Sequence, residues 1–127
     1  MKKNILFLIV FALSVIGANA QTVWKTDLSH SKVSFNISHL VIAEVTGRFT
    51  EFDATLTQPK DDFTGATLSA TIKTKSINTD NEGRDKHLRS ADFFDADKYP
   101  EITFTSKSFE KIGDNKFKIT GDLTMHG

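Results

Sequence analysis

Apolar and polar residues alternate along much of the chain, with the period of two that is typical of strands with one apolar face. In KVSFNISHL, for example, Val33, Phe35 and Ile37 fall on one side and the polar residues between them on the other. The same pattern recurs in FTEFDATLT, GATLSATIKT, EITFTSKSF and NKFKITGDLTM, and less clearly in TVWKTD. The alternation therefore predicts an all-β domain.

The breaks between these segments carry turn residues. Pro59 lies in one break, and Gly113, Asp114 and Asn115 form another that suits a hairpin. Short connections of this kind join antiparallel neighbours. A longer segment over residues 84–95 departs from the alternation and predicts one or two turns of helix, after which Pro100 should return the chain to an extended conformation.

Strands with one apolar face suit either a β-sandwich or a closed antiparallel barrel, and the alternation does not choose between them. Ala54, Ala66 and Ala70 alternate with larger residues on the apolar faces. Small inward-facing side chains leave space inside a barrel, so both a filled core and a ligand cavity remain open.

The first 20 residues have a different composition and predict a secretory signal peptide. Lys2 and Lys3 precede an apolar run over residues 5–16, and the small residues of Ala18-Asn19-Ala20 suit a cleavage site. Cleavage near Ala20 leaves 107 of the 127 residues, and losing the two lysines lowers the net charge from 0 to −2. We therefore expect a periplasmic or secreted protein, not membrane-spanning, with one domain over residues 21–127.

The residue types exclude several functions. The mature chain has no basic run, which argues against a nucleic-acid partner. It contains no cysteine, and His30, His39, His87 and His126 match no zinc-binding spacing, so we predict neither a metal nor a cofactor. Phosphate-binding loops are absent from the sequence, and the S-x-x-K match of Ser29 and Lys32 lacks its companion motifs, so a binding protein is favoured over an enzyme.

Four segments together resemble the YceI-like family of lipocalin-like, polyisoprenoid-binding proteins. They are VWKTDLSHSKVSFNISHL, VTGRFTEFDATL, RDKHLRSADFFDADKYPEITFTS and GDLTMHG, and the resemblance covers residues 23–127. It implies an antiparallel lipocalin-like barrel, outside the cytoplasm, whose interior holds a long apolar lipid such as a polyisoprenoid or an isoprenoid quinone tail. Family members continue for several strands after GDLTMHG, so we expect C-terminal strands to be missing from this chain.

The resemblance and the alternation together predict a ligand site with two parts. Arg84, His87 and Arg89 form a polar rim for the head group of the lipid. The apolar tunnel is predicted to be lined by Phe35, Ile37, Phe52, Leu68, Ile72, Phe93, Phe94, Phe104, Phe117 and Ile119. A register error of one residue would invert any of these strands.

Other interpretations stay open from the sequence. The segment over residues 84–95 could be a self-paired surface helix, with Asp85 and Arg89 bonded to each other. An enzyme could use His87 and Asp85 as an acid-base pair on a bound lipid. A stress protein with a filled core would bind no ligand, and a homodimer is compatible with each of these functions.

Overall fold

A computed structural model describes residues 20–39 and 43–127. The predicted signal peptide therefore lies outside the described residues, except for Ala20. The elements in chain order are strands β1 (Thr22–Lys25), β2 (Val33–His39), β3 (Ala43–Phe49), β4 (Phe52–Gln58) and β5 (Thr67–Lys73), a single 3₁₀ turn (Thr74–Ser76), strand β6 (Ile77–Asn78), helix α1 (Glu82–Arg89), and strands β7 (Glu101–Gly113) and β8 (Lys116–Thr124). The predicted all-β class with one short helical insertion is confirmed.

Five strands form an antiparallel sheet in the order β1-β4-β5-β7-β8. Directly paired residues share a face, so the register shows which side chains lie together. Phe52 pairs with Ile72, which pairs with Ile102, and these three residues begin an apolar face. Residues of the opposite face are polar, as in the row Asp53, Thr71, Thr103 and Thr124. The predicted alternation is therefore realised in this sheet.

The remaining strands form a second antiparallel sheet in the order β2-β3-β6. It continues from the first sheet through a corner, because β3 leads into β4 and β5 leads into β6. Two backbone bonds bridge the corner, from Lys73 N to Glu51 O at 2.9 Å and from Thr50 N to Ser76 O at 3.1 Å. The two sheets thus bend around one apolar interior, as in an incompletely closed barrel.

The core lies inside this corner. Phe49, Ile77 and Ile102 are buried and pack together, and they come from β3, β6 and β7 respectively. Val33, Phe35, Ile72, Leu88 and Phe94 are half-buried against them. The corner therefore joins both sheets and the helical insertion in one cluster.

Helix α1 has clear start and stop signals. Asn81 caps it, since its side-chain oxygen accepts a hydrogen bond from Arg84 N at 2.8 Å. Acidic residues occupy the first turn and basic residues the last, as the helix dipole favours. The helix has only eight residues. In the part of the chain that the structure describes, no helix has the length and apolar character needed to cross a membrane.

The hairpin of β7 and β8 confirms the turn predicted from the sequence. Its turn contains Asp114 and Asn115, and Asn115 takes the left-handed conformation with φ 55°. Gly121 lies beside an irregularity in the register of β7, between Ser106 and Ser108. A Cβ atom on Gly121 would stand 2.4 Å from Thr105 O, so only glycine fits this close approach.

Two strands were not predicted by the alternation. β6 has only two residues, too few for a periodic signal. β3 carries Gly47 between Val45 and Phe49, and the glycine interrupts the apolar row. The predicted strand FTEFDATLT is also divided, because Thr50 and Glu51 form the corner between β3 and β4.

Candidate functional site

An apolar groove lies between β2 and the segment that follows helix α1. Its volume is about 460 Å³. The lining side chains are all apolar: Phe35, Ile37, Phe49, Leu88, Phe93, Phe94 and Met125. Four of them, Phe35, Ile37, Phe93 and Phe94, belong to the tunnel predicted from the sequence. The groove therefore contains one part of the predicted apolar site.

Gly47 makes room for the wall of the groove. Phe35 and Gly47 are directly paired on β2 and β3, and the phenyl ring lies over the glycine. A Cβ atom at position 47 would be 2.2 Å from Phe35 Cζ. The ring instead packs against Phe49 at 5.9 Å between centroids, and Phe49 makes an edge contact with Phe94 at the same distance. Three aromatic rings thus form a continuous wall.

Phe93 and Phe94 both line the groove, although they are neighbours in sequence. They lie in turns rather than in a strand, so the opposite orientation of adjacent strand residues does not apply. Phe94 N donates to Leu88 O at 3.0 Å, which folds the segment back onto the helix. Phe94 is half-buried against the core, whereas Phe93 is 50% exposed. The inner ring closes the groove and the outer ring stands at its opening.

A second hollow of about 340 Å³ adjoins the groove, and we call it the mouth. It shares Phe93, Phe94 and Met125 with the groove and adds Asp92 and His126. His87 Nε2 lies 3.3 Å from Asp92 Oδ2, and its ring makes an edge contact with Phe93 at 4.8 Å. The apolar groove therefore opens into a region that bears hydrogen-bonding groups.

The two arginines of the predicted rim bond to the protein itself. Arg84 donates from Nε to Thr79 Oγ1 at 2.7 Å and from Nη2 to Thr79 O at 2.8 Å. Arg89 donates to the backbone carbonyls of Lys75 and Ile77 at 2.8 and 2.7 Å. Neither arginine lines the groove or the mouth. Of the three predicted rim residues, only His87 stands beside the opening, through Asp92 and Phe93.

Asp85 is a buried residue of helix α1, and it bonds to neither of its predicted partners, Arg89 and His87. Its Oδ1 accepts hydrogen bonds from Thr79 N at 2.9 Å and from Thr79 Oγ1 at 2.6 Å. The predicted pairing of Asp85 with Arg89 is therefore wrong, because each bonds to the β6 region instead. The acid-base pair of Asp85 with His87 is not formed either, since residues two apart point to different sides of a helix.

These bonds have a common effect on the position of the helix. Arg84, Asp85 and Arg89 bond to a short stretch of chain over residues 75–79. They hold α1 against β6, so that Leu88 reaches the groove from the same helix. Arg84 and Arg89, which the sequence predicts as part of a rim, thus form a clamp for the helix together with Asp85.

The other predicted tunnel residues lie on the apolar face of the five-stranded sheet, outside the groove. Ile72 packs on the core cluster. Phe52 and Leu68 line a separate hollow of about 190 Å³ together with Trp24. Phe104 crosses Gly121, and Phe117 packs on Phe63 at 5.1 Å. Ile119 is 40% exposed. Alternation predicts the face of these side chains but does not bring them to one cavity.

Three lining residues were absent from the predicted tunnel. Phe49 lies on β3, whose alternation is interrupted by Gly47, and Leu88 lies on the helix. Met125 follows β8 on the same alternation as Leu123. The alternate spacing of Val45, Gly47 and Phe49 could have predicted that Phe49 lies on the apolar face of a strand.

One exposed ion pair fixes the loop before the helix. Arg48 on β3 donates two hydrogen bonds to Asp80, at 3.0 and 2.9 Å. The hydrogen bonds and the positive charge of Arg48 lower the pKa of Asp80, and Asp80 in turn raises the pKa of Arg48. Asp80 has φ 58°, so a turn in the left-handed conformation leads from β6 to α1.

Comparison with known proteins agrees with this geometry. The model of the YceI-like domain matches residues 24–127. The chain belongs to the YceI-like family. It is 40% identical to Protein YceI of Salmonella newport and 42% identical to Protein YceI of Shigella flexneri, over all of this chain and 68% of each relative. The earlier resemblance is therefore confirmed.

Two solved structures show the same fold. BcnA of Burkholderia cenocepacia aligns with a TM-score of 0.74 and 31% identity, over 80% of this chain and 63% of that one. The YceI protein of Campylobacter jejuni aligns with a TM-score of 0.62 and 44% identity, over 80% of this chain and 60% of that one. The chain thus spans about three fifths of the length of these two proteins.

Proposed function

We propose that this chain binds a long apolar lipid, a polyisoprenoid or an isoprenoid quinone tail, and carries or sequesters it. The single observation that supports the proposal most strongly is the groove, which is lined entirely by apolar side chains and opens at one end into a polar mouth. Membership of the YceI-like family supports it at the level of the fold. The apolar leader over residues 1–20 supports a periplasmic or secreted location.

The chemistry of the groove suits the tail of such a lipid. Burial of one CH₂ group contributes about 0.8 kcal/mol, so a five-carbon isoprene unit contributes about 4 kcal/mol. Three units exceed the roughly 8 kcal/mol of a micromolar complex, before the ordering of the chain is subtracted. The tail alone can therefore supply the affinity, and the mouth needs only to accommodate the head group.

The alternatives receive less support. A stress protein with a filled core would not be expected to have a groove of about 460 Å³ that is lined only by apolar atoms. An enzyme that uses His87 would need another partner, because Asp85 is buried and bonded to Thr79. His87 has Asp92 as its neighbour, and the pair is exposed. We infer a binding protein without catalytic activity.

Organic extraction and native mass spectrometry test the proposal. The full chain, produced in a bacterium that synthesises isoprenoids, is expected to carry a reproducible long-chain lipid. The extract identifies the tail and the head group. A protein that is repeatedly empty, and that also fails to take up farnesol when this isoprenoid alcohol is added, would contradict the proposal.

A matched pair of variants locates the site. Ile37 lines the groove and Ile112 does not, while both are strand isoleucines with similar exposure, 55% and 60%. Ile37→Asp places a carboxylate against the hydrocarbon tail without removing a buried side chain, so lipid binding should weaken at least about tenfold. Ile112→Asp makes the same chemical change away from the groove and should leave binding unchanged. Equal effects of the two variants would mean that the groove is not the site.

A further inference from the structure

The groove and the mouth form one path, which fixes where the head group of a ligand would lie. They share Phe93, Phe94 and Met125, so a tail in the groove extends directly into the mouth. Asp92 and His126 are the polar residues that line the mouth. The following inference rests on the proposed function, because it concerns the head group of the same lipid.

We propose that the site selects lipids with an uncharged head group and that Asp92 excludes phosphorylated ones. Among the described residues that line the groove and the mouth, Asp92 is the one acidic side chain, and none of them is a lysine or an arginine. A carboxylate and a phosphate repel each other, whereas a carbonyl or hydroxyl head group can hydrogen-bond to the mouth.

The two arginines beside the mouth are committed elsewhere. Phosphate sites in proteins use arginine forks or lysines directed at the phosphate oxygens. Arg84 and Arg89 are the arginines of the adjacent helix, and they donate to Thr79 and to the carbonyls of Lys75 and Ile77. These hydrogen bonds hold helix α1 against β6. If the two arginines turned toward a ligand, the bonds would be broken and the helix would lose this support.

One lysine stands near the mouth without lining it. Lys98 Nζ lies 5.1 Å from the centre of the Tyr99 ring, and that ring packs on His126 at 4.7 Å. Tyr99 thus contacts both the ammonium group and His126. A phosphate in the mouth would lie next to Asp92, whereas Lys98 does not line the mouth.

His87 is the side chain that lies next to Asp92 at the mouth. Its Nε2 atom lies 3.3 Å from Asp92 Oδ2, and both side chains are exposed, at 60% and 78%. The exposure means that water screens the charge of Asp92, so the selection is expected to be modest and to weaken with salt.

The test compares two ligands with the same tail. Farnesol and farnesyl monophosphate differ only in the head group, and isothermal titration calorimetry of the full chain at low ionic strength gives both affinities. We expect farnesol to bind on the order of ten times more tightly. Asp92→Asn should reduce this preference about threefold, and Asp92→Lys should abolish or reverse it, with little effect on farnesol itself.

Controls separate a local effect of Asp92 from a change in net charge. Asp61 is exposed in the loop between β4 and β5, and Asp61→Asn should leave the preference as it is. Lys98→Gln should leave the affinity for farnesyl monophosphate nearly unchanged. Its marked loss would show that Lys98 receives the phosphate and would overturn the proposal.

The two proposals fail in different ways. Equal binding of both ligands, or a preference for the phosphate, would overturn the selection by Asp92 while the lipid-binding function stands. An unchanged preference in both Asp92→Asn and Asp92→Lys would also overturn it. Failure of either ligand to bind would overturn the proposed function itself, and this inference with it.

Discussion

Two ends of the same sheet face have the same alternation but different environments. At the corner end, Ile102 on β7 is 4% exposed, because β3 and β6 bend over it and bring Phe49 and Ile77 into contact. Toward the hairpin, Ile119 on β8 is 40% exposed. Phe104 pairs with Leu123, and Ile119 lies four residues before Leu123 on the same strand, so the register places these side chains on the face of Ile102.

The difference shows what alternation can and cannot predict. It predicts the side of the sheet on which a residue lies, because successive side chains point to opposite faces. It does not predict which element covers that side. The groove forms at the covered end, where Gly47, helix α1 and the turn at Phe93 and Phe94 add a second wall.

Large-to-small substitutions should show the largest difference in stability between the two ends. Ile102→Ala removes a buried side chain and leaves a cavity, so the free energy of unfolding should fall by about 3 kcal/mol. Ile119→Ala makes the same change on the same face at the exposed end and should cost about 1 kcal/mol or less. Urea denaturation of both variants checks the comparison. Equal losses would mean that the two ends are equally covered.

The clamp on the helix should matter only at the covered end. Asp85→Ala removes the carboxylate that accepts two hydrogen bonds from Thr79, and it leaves buried donors unpaired. Unfolding should become easier by about 2 to 3 kcal/mol. Asp92→Ala removes an exposed carboxylate and should change stability by about 0.5 kcal/mol or less. A small effect of Asp85→Ala in chemical denaturation would argue against the clamp.

Gly47 should be required for the groove wall. A Cβ atom at this position overlaps Phe35 Cζ, so Gly47→Ala must displace the ring from Phe49. We expect a loss of about 1 to 2 kcal/mol and weaker lipid binding. Gly83→Ala is the control in helix α1, where the nearest atom is 3.5 Å away and alanine should be neutral or slightly stabilising. Thermal unfolding and a farnesol titration measure both effects.

The smallest effect should come from the exposed pair of Arg48 and Asp80. Arg48 lowers the pKa of Asp80 below its ordinary value of 3.8. The folded state therefore binds this proton less readily than the unfolded state, and the pair contributes stability above the unfolded pKa. That contribution is lost as the pH falls through the lowered pKa.

Asp80→Asn should accordingly reduce stability slightly at neutral pH and make the acid side of the stability profile less steep. Asparagine also tolerates the left-handed conformation at this position, with φ 58°, so the backbone should be preserved. Denaturation of both proteins between neutral and strongly acidic pH checks this prediction. Parallel profiles would show that the lowered pKa of Asp80 does not contribute to stability.

The fold was more predictable from the sequence than the site. The turn at Asn115 and the strand after Pro100 follow from local rules and are confirmed. A short helix is also confirmed within the predicted segment, although it spans Glu82–Arg89 and residues 91–94 form turns. The two arginines of the predicted rim lie away from the opening, because an arginine in a helical segment can bond equally well to solvent, to another side chain or to nearby backbone. The tertiary position of residues 75–79 decides between these partners, and no local pattern encodes it.

The tunnel was predictable in part for a related reason. Phe35 and Ile37 were predicted from alternation in β2, while Phe49 was missed because Gly47 breaks the pattern in β3. Phe52 and Leu68 lie on the predicted face but line a different hollow. Their distance from the groove depends on the corner at Thr50 and Glu51, which the alternation does not contain.

The methyl group of Met125 offers the most direct test of the central claim that the groove holds the lipid. Met1 and Met125 are the two methionines of the chain, so ¹³C-methyl labelling gives a simple spectrum that Met125→Leu assigns. Titration with farnesol should shift the Met125 signal in a saturable way, and Ile37→Asp should shift the midpoint to a higher farnesol concentration. Calorimetric binding of farnesol with no change in the Met125 signal would contradict the account.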